Sequence, residues 1–169
     1  MKTLYLIGGA MGVGKTTACQ ALKTRLPACA FLDGDWCWDM HPFTVTDETK
    51  ALVMGNITHH LNAFLHCSAF ENVVFCWVMH AQSIIDDILS RLDLVDVRVI
   101  PVSLMCTEEA LTCRLEGDIR QGKRQPDVLP RSLARLPMYE ALDTMHLDVS
   151  ALTPEETARA IEALAAQPR

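Results

Sequence analysis

The chain has 169 residues, 50% of them hydrophobic, and a formal net charge of −6 at pH 7. This length can bury one good core, so we expect a single domain over residues 1–169, and the acidic balance argues against a general nucleic-acid surface. The sequence has no apolar run of about 18 residues, the length that a membrane span requires, and its glycines come too early for a secretory signal. We therefore expect a cytoplasmic monomer or homodimer that does not bind membranes.

The first predicted elements are a buried strand at Thr3–Ile7 and a helix at Thr16–Leu26, joined by a glycine-rich turn. Residues 9–16 match the pattern G-x-x-x-x-G-K-[ST], whose backbone N–H groups surround phosphate at a helix N-terminus. In this pattern Lys15 meets the outer phosphates and the Thr16 hydroxyl binds Mg²⁺. A purely structural glycine turn is the alternative. The residues assigned to nucleotide binding are Gly9, Gly12, Val13, Gly14, Lys15, Thr16 and Thr17.

The second predicted strand, Cys29–Leu32, is followed by Asp33-Gly34-Asp35. Two carboxylates spaced in this way at a strand end can serve different partners. Asp33 is predicted to support hydrated Mg²⁺, and Asp35 to accept a proton from an attacking hydroxyl group. An acidic turn without chemistry is the alternative.

Strands and helices continue to alternate along the rest of the chain, which predicts an α/β protein with a mostly parallel sheet covered on both faces. The remaining predicted strands are Val73–Val78, Val97–Met105 and His146–Val149. The remaining predicted helices are Asp47–Ala69, Gln82–Leu92, Glu108–Gln121, Arg131–Leu142 and Pro154–Ala165. Seven cysteines without a C-x-x-C pair are expected to be reduced core residues.

A basic segment lies between Arg114 and Arg135, where six basic and three acidic residues give a local charge of +3. Glycine and two prolines interrupt it within Gly122–Pro130. A solvated helix face would explain the charge, but a mobile lid over a polyphosphate, at about residues 114–130, explains both features.

The phosphate loop, the D-x-D pair and the arginine-bearing segment together resemble the small P-loop kinases, which include shikimate kinase, gluconate kinase and chloramphenicol phosphotransferase. The resemblance covers nearly the whole chain. It implies a P-loop NTPase fold with three α/β/α layers, a five-stranded parallel sheet in the order 2-3-1-4-5, and use of ATP with Mg²⁺. It also implies that Arg114 and Arg120 are lid arginines, with Arg124 able to replace either, and that Ser150 and Ala151 contact adenine.

The predicted third strand departs from this family, because "NVVFCWVMH" ends without the usual acidic residue and without the glycine run of shikimate kinase. Shikimate is therefore not the expected acceptor. The residues predicted to bind the acceptor beside Asp35 are Trp36, Trp38, His80 and Gln82. The tryptophans can equally be packing residues, and His80 can be a structural hydrogen-bonding residue.

The sequence thus predicts a Mg²⁺-ATP-dependent phosphotransferase that acts on a hydroxyl group of a small molecule. Lys15, Asp35 and the lid arginines Arg114 and Arg120 are its predicted catalytic residues, with Thr16 and Asp33 at the metal. A nucleotide or polynucleotide-end kinase and a non-catalytic nucleotide-dependent switch are the alternatives. Asp35 distinguishes a phosphotransferase from a switch, because a switch needs no acceptor-side base.

Overall fold

A computed structural model describes residues 1–166 of the chain. Five parallel strands form one sheet in the order β2-β3-β1-β4-β5, so the predicted sheet and strand order are confirmed. Their bounds are β1 Lys2–Gly9, β2 Cys29–Asp33, β3 Asn72–Cys76, β4 Val97–Met105 and β5 Met145–Asp148. The central strand β1 is almost wholly apolar where neighbours cover it, with Leu4, Leu6 and Ile7 at most 1% exposed.

Within residues 1–166, six α-helices cover this sheet, giving the P-loop NTPase type of α/β/α architecture. Their bounds are α1 Lys15–Arg25, α2 Asp47–His66, α3 Gln82–Ser90, α4 Glu108–Arg120, α5 Val128–Arg135 and α6 Pro154–Ala165. Threonines begin three of them: Thr46, Thr107 and Thr153 each accept a backbone N–H bond at a helix N-terminus. None of the helices in residues 1–166 combines the length and the apolar composition needed to cross a bilayer.

The predicted elements recur with shifted ends, and one predicted helix is divided. The helix expected at Arg131–Leu142 is instead α5 followed by a 3₁₀ segment at Leu136–Ala141. Pro137 lies in that segment and has no backbone N–H to continue an α-helical ladder. The third strand ends at Cys76, two residues before its predicted end, so Trp77 already lies beyond the sheet.

The strand register brings the ends of β1 and β2 to the same level at one edge of the sheet, with β3 between them. Ile7 of β1 is level with Cys76 of β3, and Cys76 is level with Asp33 of β2. The turn that follows β1 therefore lies at the same sheet edge as the carboxylates that follow β2, as expected for parallel strands. This edge holds the candidate site.

Candidate active site

The turn after β1 has the backbone conformation of an anion-binding loop. Gly12 has φ +88°, and a Cβ added there would overlap the side chain of Leu115 on α4. Only glycine satisfies both the positive φ and the close approach of α4. The loop then enters α1 directly, so its amides lie at the positive end of a helix.

Lys15, the first residue of α1, folds its side chain back over this loop. Its Nζ donates to the carbonyl oxygens of Gly9 at 2.9 Å and Ala10 at 3.0 Å, and the residue is buried. Burial lowers the pKa of the ammonium group, while the negative charges of Asp35 and Asp33 raise it. The pKa of Lys15 is lowered overall, and the loop carbonyl oxygens hold its side chain in place.

Thr16 and Asp33 place three oxygen atoms close together at the start of α1. The Thr16 hydroxyl donates to Asp33 Oδ2 at 2.6 Å, and Asp33 Oδ1 accepts the backbone N–H of Asp35 at 3.0 Å. Oxygen donors of this kind suit Mg²⁺, which keeps several of its water ligands in proteins. No group of three or more His, Cys, Asp or Glu side chains with metal-site geometry occurs within residues 1–166.

Asp35 follows in a 3₁₀ segment, Gly34–Trp38, and is exposed at the mouth of the cleft. Partial withdrawal from water and the charge of Asp33 raise the pKa of its carboxyl group, while Lys15 and a hydrogen bond with Trp77 lower it. The Gly34 backbone lies close against the Trp77 side chain: a Cβ added at Gly34 would lie only 2.5 Å from the Trp77 Cγ. A carboxyl group with a raised pKa at the edge of a cleft is suited to receiving a proton.

Three cavities meet at this edge of the sheet. Cavity I, of about 300 Å³, lies between the phosphate loop and α6 and is lined by Gly12, Val13, Gly14, Thr17, Arg114, Asp118, Val149, Leu152, Pro154 and Thr157. Cavity II, of about 140 Å³, lies over the loop and is lined by Met11, Gly12, Gly14, Lys15, Thr16, Thr17, Asp35, Asp118 and Arg124. Cavity III, of about 540 Å³, is lined by Met11, Asp35, Trp38, Phe43, Val45, Lys50, Trp77, Val78, His80, Ile84 and Arg135.

The three predicted lid arginines have different surroundings. Arg114 donates to the carbonyl oxygens of Val13, Val149 and Ser150, and so connects the phosphate loop to the segment after β5. Arg124 pairs with Asp118 at 3.1 Å and lines cavity II. Arg120 lies at the surface, 3.8 Å from Glu116, and lines none of the three cavities. Of these three arginines, Arg114 contacts the phosphate loop directly and Arg124 lines the cavity that lies over it.

Only some of the predicted acceptor residues come together. Trp38 and His80 line cavity III with Asp35, whereas Trp36 is exposed and packs edge-on against Phe31, with ring centres 5.2 Å apart. The Gln82 amide donates to Asp86 and accepts from the Asp143 backbone, in a separate cavity. Trp36 and Gln82 do not line cavity III, and their role in acceptor binding stays a prediction.

The residues predicted to contact a base lie next to cavity I. Ser150 and Ala151 fall between Val149 and Leu152, both of which line that cavity. Ser150 donates to Asp148 and accepts the Thr107 backbone N–H, which fixes the segment after β5. Backbone contact with a base from this segment stays a prediction.

Sequence reasoning missed Trp77 and Arg135, which both line cavity III. Trp77 was assigned to the third strand, although the end of a parallel strand is where site residues are expected. The sequence analysis places Arg135 in the basic segment but gives it no role. No local sequence pattern indicates that the end of α5 lies near His80. The Arg135 charge lowers the pKa of His80, in addition to the larger effect of burial.

A known protein family matches most of the chain. Residues 6–130 match the family described as the AAA domain. A search among curated proteins found no match.

Solved structures with this fold cover nearly the whole chain. A tunicamycin resistance protein from Deinococcus radiodurans is 18% identical, with a TM-score of 0.71 over 99% of this chain and 98% of its own. A gluconokinase from Sinorhizobium meliloti 1021 is 23% identical, with a TM-score of 0.67 over 96% and 91%. A shikimate kinase from Bacteroides thetaiotaomicron is 21% identical, with a TM-score of 0.63 over 98% and 99%. The expected resemblance to small P-loop kinases is confirmed in the fold.

Proposed function

Because the chain belongs to the AAA domain family and has the fold of small P-loop kinases, we propose that it transfers the γ-phosphoryl group of ATP to a hydroxyl group of a small-molecule acceptor. The observation that carries this proposal is the position of Asp35, which lines both the cavity over the phosphate loop and the larger cavity III. A carboxylate shared by two cavities in this way can contact a hydroxyl group that attacks a phosphate.

The nucleotide occupies cavities I and II in this proposal. The triphosphate lies over the loop amides and Lys15, and the adenosine lies in cavity I between Arg114 and the apolar residues Val149 and Leu152. Arg114 has a positioning role, because its hydrogen bonds to Val13 and Val149 hold the two sides of cavity I together.

Thr16 and Asp33 hold the metal in this proposal, Thr16 through its hydroxyl group and Asp33 through water. Their oxygen atoms fit a hydrated Mg²⁺, which when bound neutralises charge on the outer phosphates. The short hydrogen bond between the two side chains orients the Thr16 hydroxyl before any ligand arrives.

Asp35 takes the proton of the acceptor hydroxyl group while the hydroxyl oxygen attacks the γ-phosphorus. A new O–P bond forms, the bond from the γ-phosphorus to the bridging oxygen breaks, and its electron pair leaves with ADP. Lys15 and Arg124 balance the negative charge of the transferring group, while Trp77 holds Asp35 at the entrance to cavity III.

The lid is expected to close when the nucleotide binds. Arg124 is held by Asp118 beside cavity II, and a polyphosphate there competes for its guanidinium group. Amide hydrogen exchange over residues 117–130 should slow when Mg²⁺ and a non-hydrolysable ATP analogue are added. Equal exchange with and without the analogue would instead identify this segment as a static basic face.

The experiment that tests the function is a screen for acceptor-dependent ADP release. The protein is mixed with ATP, Mg²⁺ and single members of a panel of metabolites and antibiotics that carry hydroxyl groups. We expect ADP release to rise above the basal rate with one chemical class and to need Mg²⁺. ADP release that no acceptor increases, together with a nucleotide-dependent change of conformation, would favour a switch.

A further inference from the structure

Much of the lining of cavity III is apolar. The apolar residues that line it include Trp38, Phe43, Val45, Trp77, Val78 and Ile84. The rings of Trp38 and Phe43 lie 5.7 Å apart and tilted by 47°, yet Phe43 remains 67% exposed and Val45 54% exposed. These side chains lie beside a cavity and gain little burial from the fold itself, so a ligand can remove further apolar surface from water.

Cavity III also has polar lining residues, namely Asp35, Lys50, His80 and Arg135. Asp35 lines cavity II as well, and Lys50 pairs with Asp47 at 3.3 Å. His80 Nδ1 is buried and makes no hydrogen bond within the described part of the chain. Burial and the Arg135 charge lower the pKa of His80, which favours the neutral ring.

We propose that the acceptor is an amphipathic alcohol, in which one hydroxyl group faces Asp35 and a large apolar body, aromatic or alicyclic, packs on Trp38, Phe43 and Val45. This inference rests on the proposed phosphotransferase function and narrows its acceptor class. A volume of about 540 Å³ accommodates a small molecule of this type. A small uncharged polyol would meet the four charged or ionisable side chains of the lining, which include Lys50, but would leave the apolar residues without a partner.

The position of Phe43 makes it a sharp probe of this proposal. It belongs to the irregular segment between the 3₁₀ segment and α2, and its exposure means that truncation removes little packing from the core. Leu52 on α2 is a matched control, since it is also large, apolar and 56% exposed but does not line cavity III. Comparing Phe43→Ala with Leu52→Ala therefore separates two effects. One is the loss of a side chain that lines cavity III, and the other is the loss of an exposed apolar side chain elsewhere.

Matched pairs of alcohols test the proposal. Methyl and phenyl β-D-glucoside, and glycerol and 3-phenoxypropane-1,2-diol, differ in each pair chiefly in apolar body. Binding to the full chain with Mg²⁺ and a non-hydrolysable ATP analogue is measured by titration calorimetry and by tryptophan fluorescence. Transfer from ATP is measured separately as acceptor-dependent ADP release.

We expect each phenyl compound to bind at least ~10-fold more tightly than its partner, the range that contact with one apolar group supplies. Phe43→Ala should remove most of that preference, and Leu52→Ala should leave it unchanged. Equal binding within each pair, or equal effects of the two variants, would overturn the inference about the acceptor. Phenyl compounds that bind with this preference while no alcohol ever increases ADP release would instead overturn the phosphotransferase function.

Discussion

Replacing Lys15 with alanine is expected to abolish turnover and to weaken ATP binding strongly, without unfolding the chain. The loop itself holds the Lys15 ammonium group, through the Gly9 and Ala10 carbonyl oxygens. Its loss removes the charge that meets the outer phosphates. The fold should persist, because removing a buried charge offsets the loss of two hydrogen bonds.

Titration calorimetry with ATP and Mg²⁺ measures the Lys15→Ala effect, and circular dichroism checks the fold. Lys23→Ala is the matched control, because Lys23 lies on the same helix and its Nζ bonds only to Gln20 among the contacts of the described chain. That variant should bind ATP as the parent does. Unchanged ATP affinity in Lys15→Ala would contradict the assignment of the phosphate loop.

Replacing Asp35 with asparagine is expected to lower acceptor phosphorylation by ~10²-fold or more, the contribution of a positioned general base. Binding of ATP and Mg²⁺ should stay near normal, because the metal-side oxygens belong to Thr16 and Asp33. Asp33→Asn, the matched variant two residues away, should raise the Mg²⁺ concentration required for transfer and hydrolysis alike. Loss of ATP binding in both variants to the same extent would contradict this division of roles.

The pH dependence gives an independent check on Asp35. Since its pKa is raised in the folded chain, the ionised carboxylate costs stability at every pH above the ordinary carboxyl range of about 4. Asp35→Asn should therefore gain thermal stability relative to the parent as the pH rises through and above that range. The acid limb of the transfer rate should lie above the ordinary carboxyl pKa in the parent, and the residual transfer of the variant should lack it. A stability difference that is the same at pH 4 and pH 8 would contradict a raised pKa.

Local sequence information placed the loop motif after β1 and D-x-D after β2, and the ends of these two strands lie at the same edge of the sheet with β3 between them. The register of Ile7, Cys76 and Asp33 follows from ordinary parallel pairing of apolar runs. The order of the strands was expected only from the family resemblance, because hydrophobic patterns do not specify which strands are neighbours.

The acceptor side was harder to predict, because its residues meet through contacts between distant parts of the chain. Trp77 is brought to Asp35 by the close packing of Gly34, and Arg135 reaches His80 only after α4 and α5 have folded back. Arg114 bonds to Val149, 35 residues away, and no local pattern indicates that pairing. The helix predicted at Arg131–Leu142 differs from α5 at both ends: α5 begins at Val128, and the backbone changes to a 3₁₀ segment at Leu136, next to Pro137.

The most direct test of the central claim is the fate of the γ-phosphoryl group. ATP labelled at the γ-phosphorus is incubated with Mg²⁺, a filtered extract of small metabolites and either the parent chain or Asp35→Asn, and the labelled products are separated by mass. The account predicts a labelled phosphate ester of a small organic acceptor with the parent chain and at least ~10²-fold less of it with the variant. Label that appears only in inorganic phosphate, in equal amounts with both proteins, would contradict it.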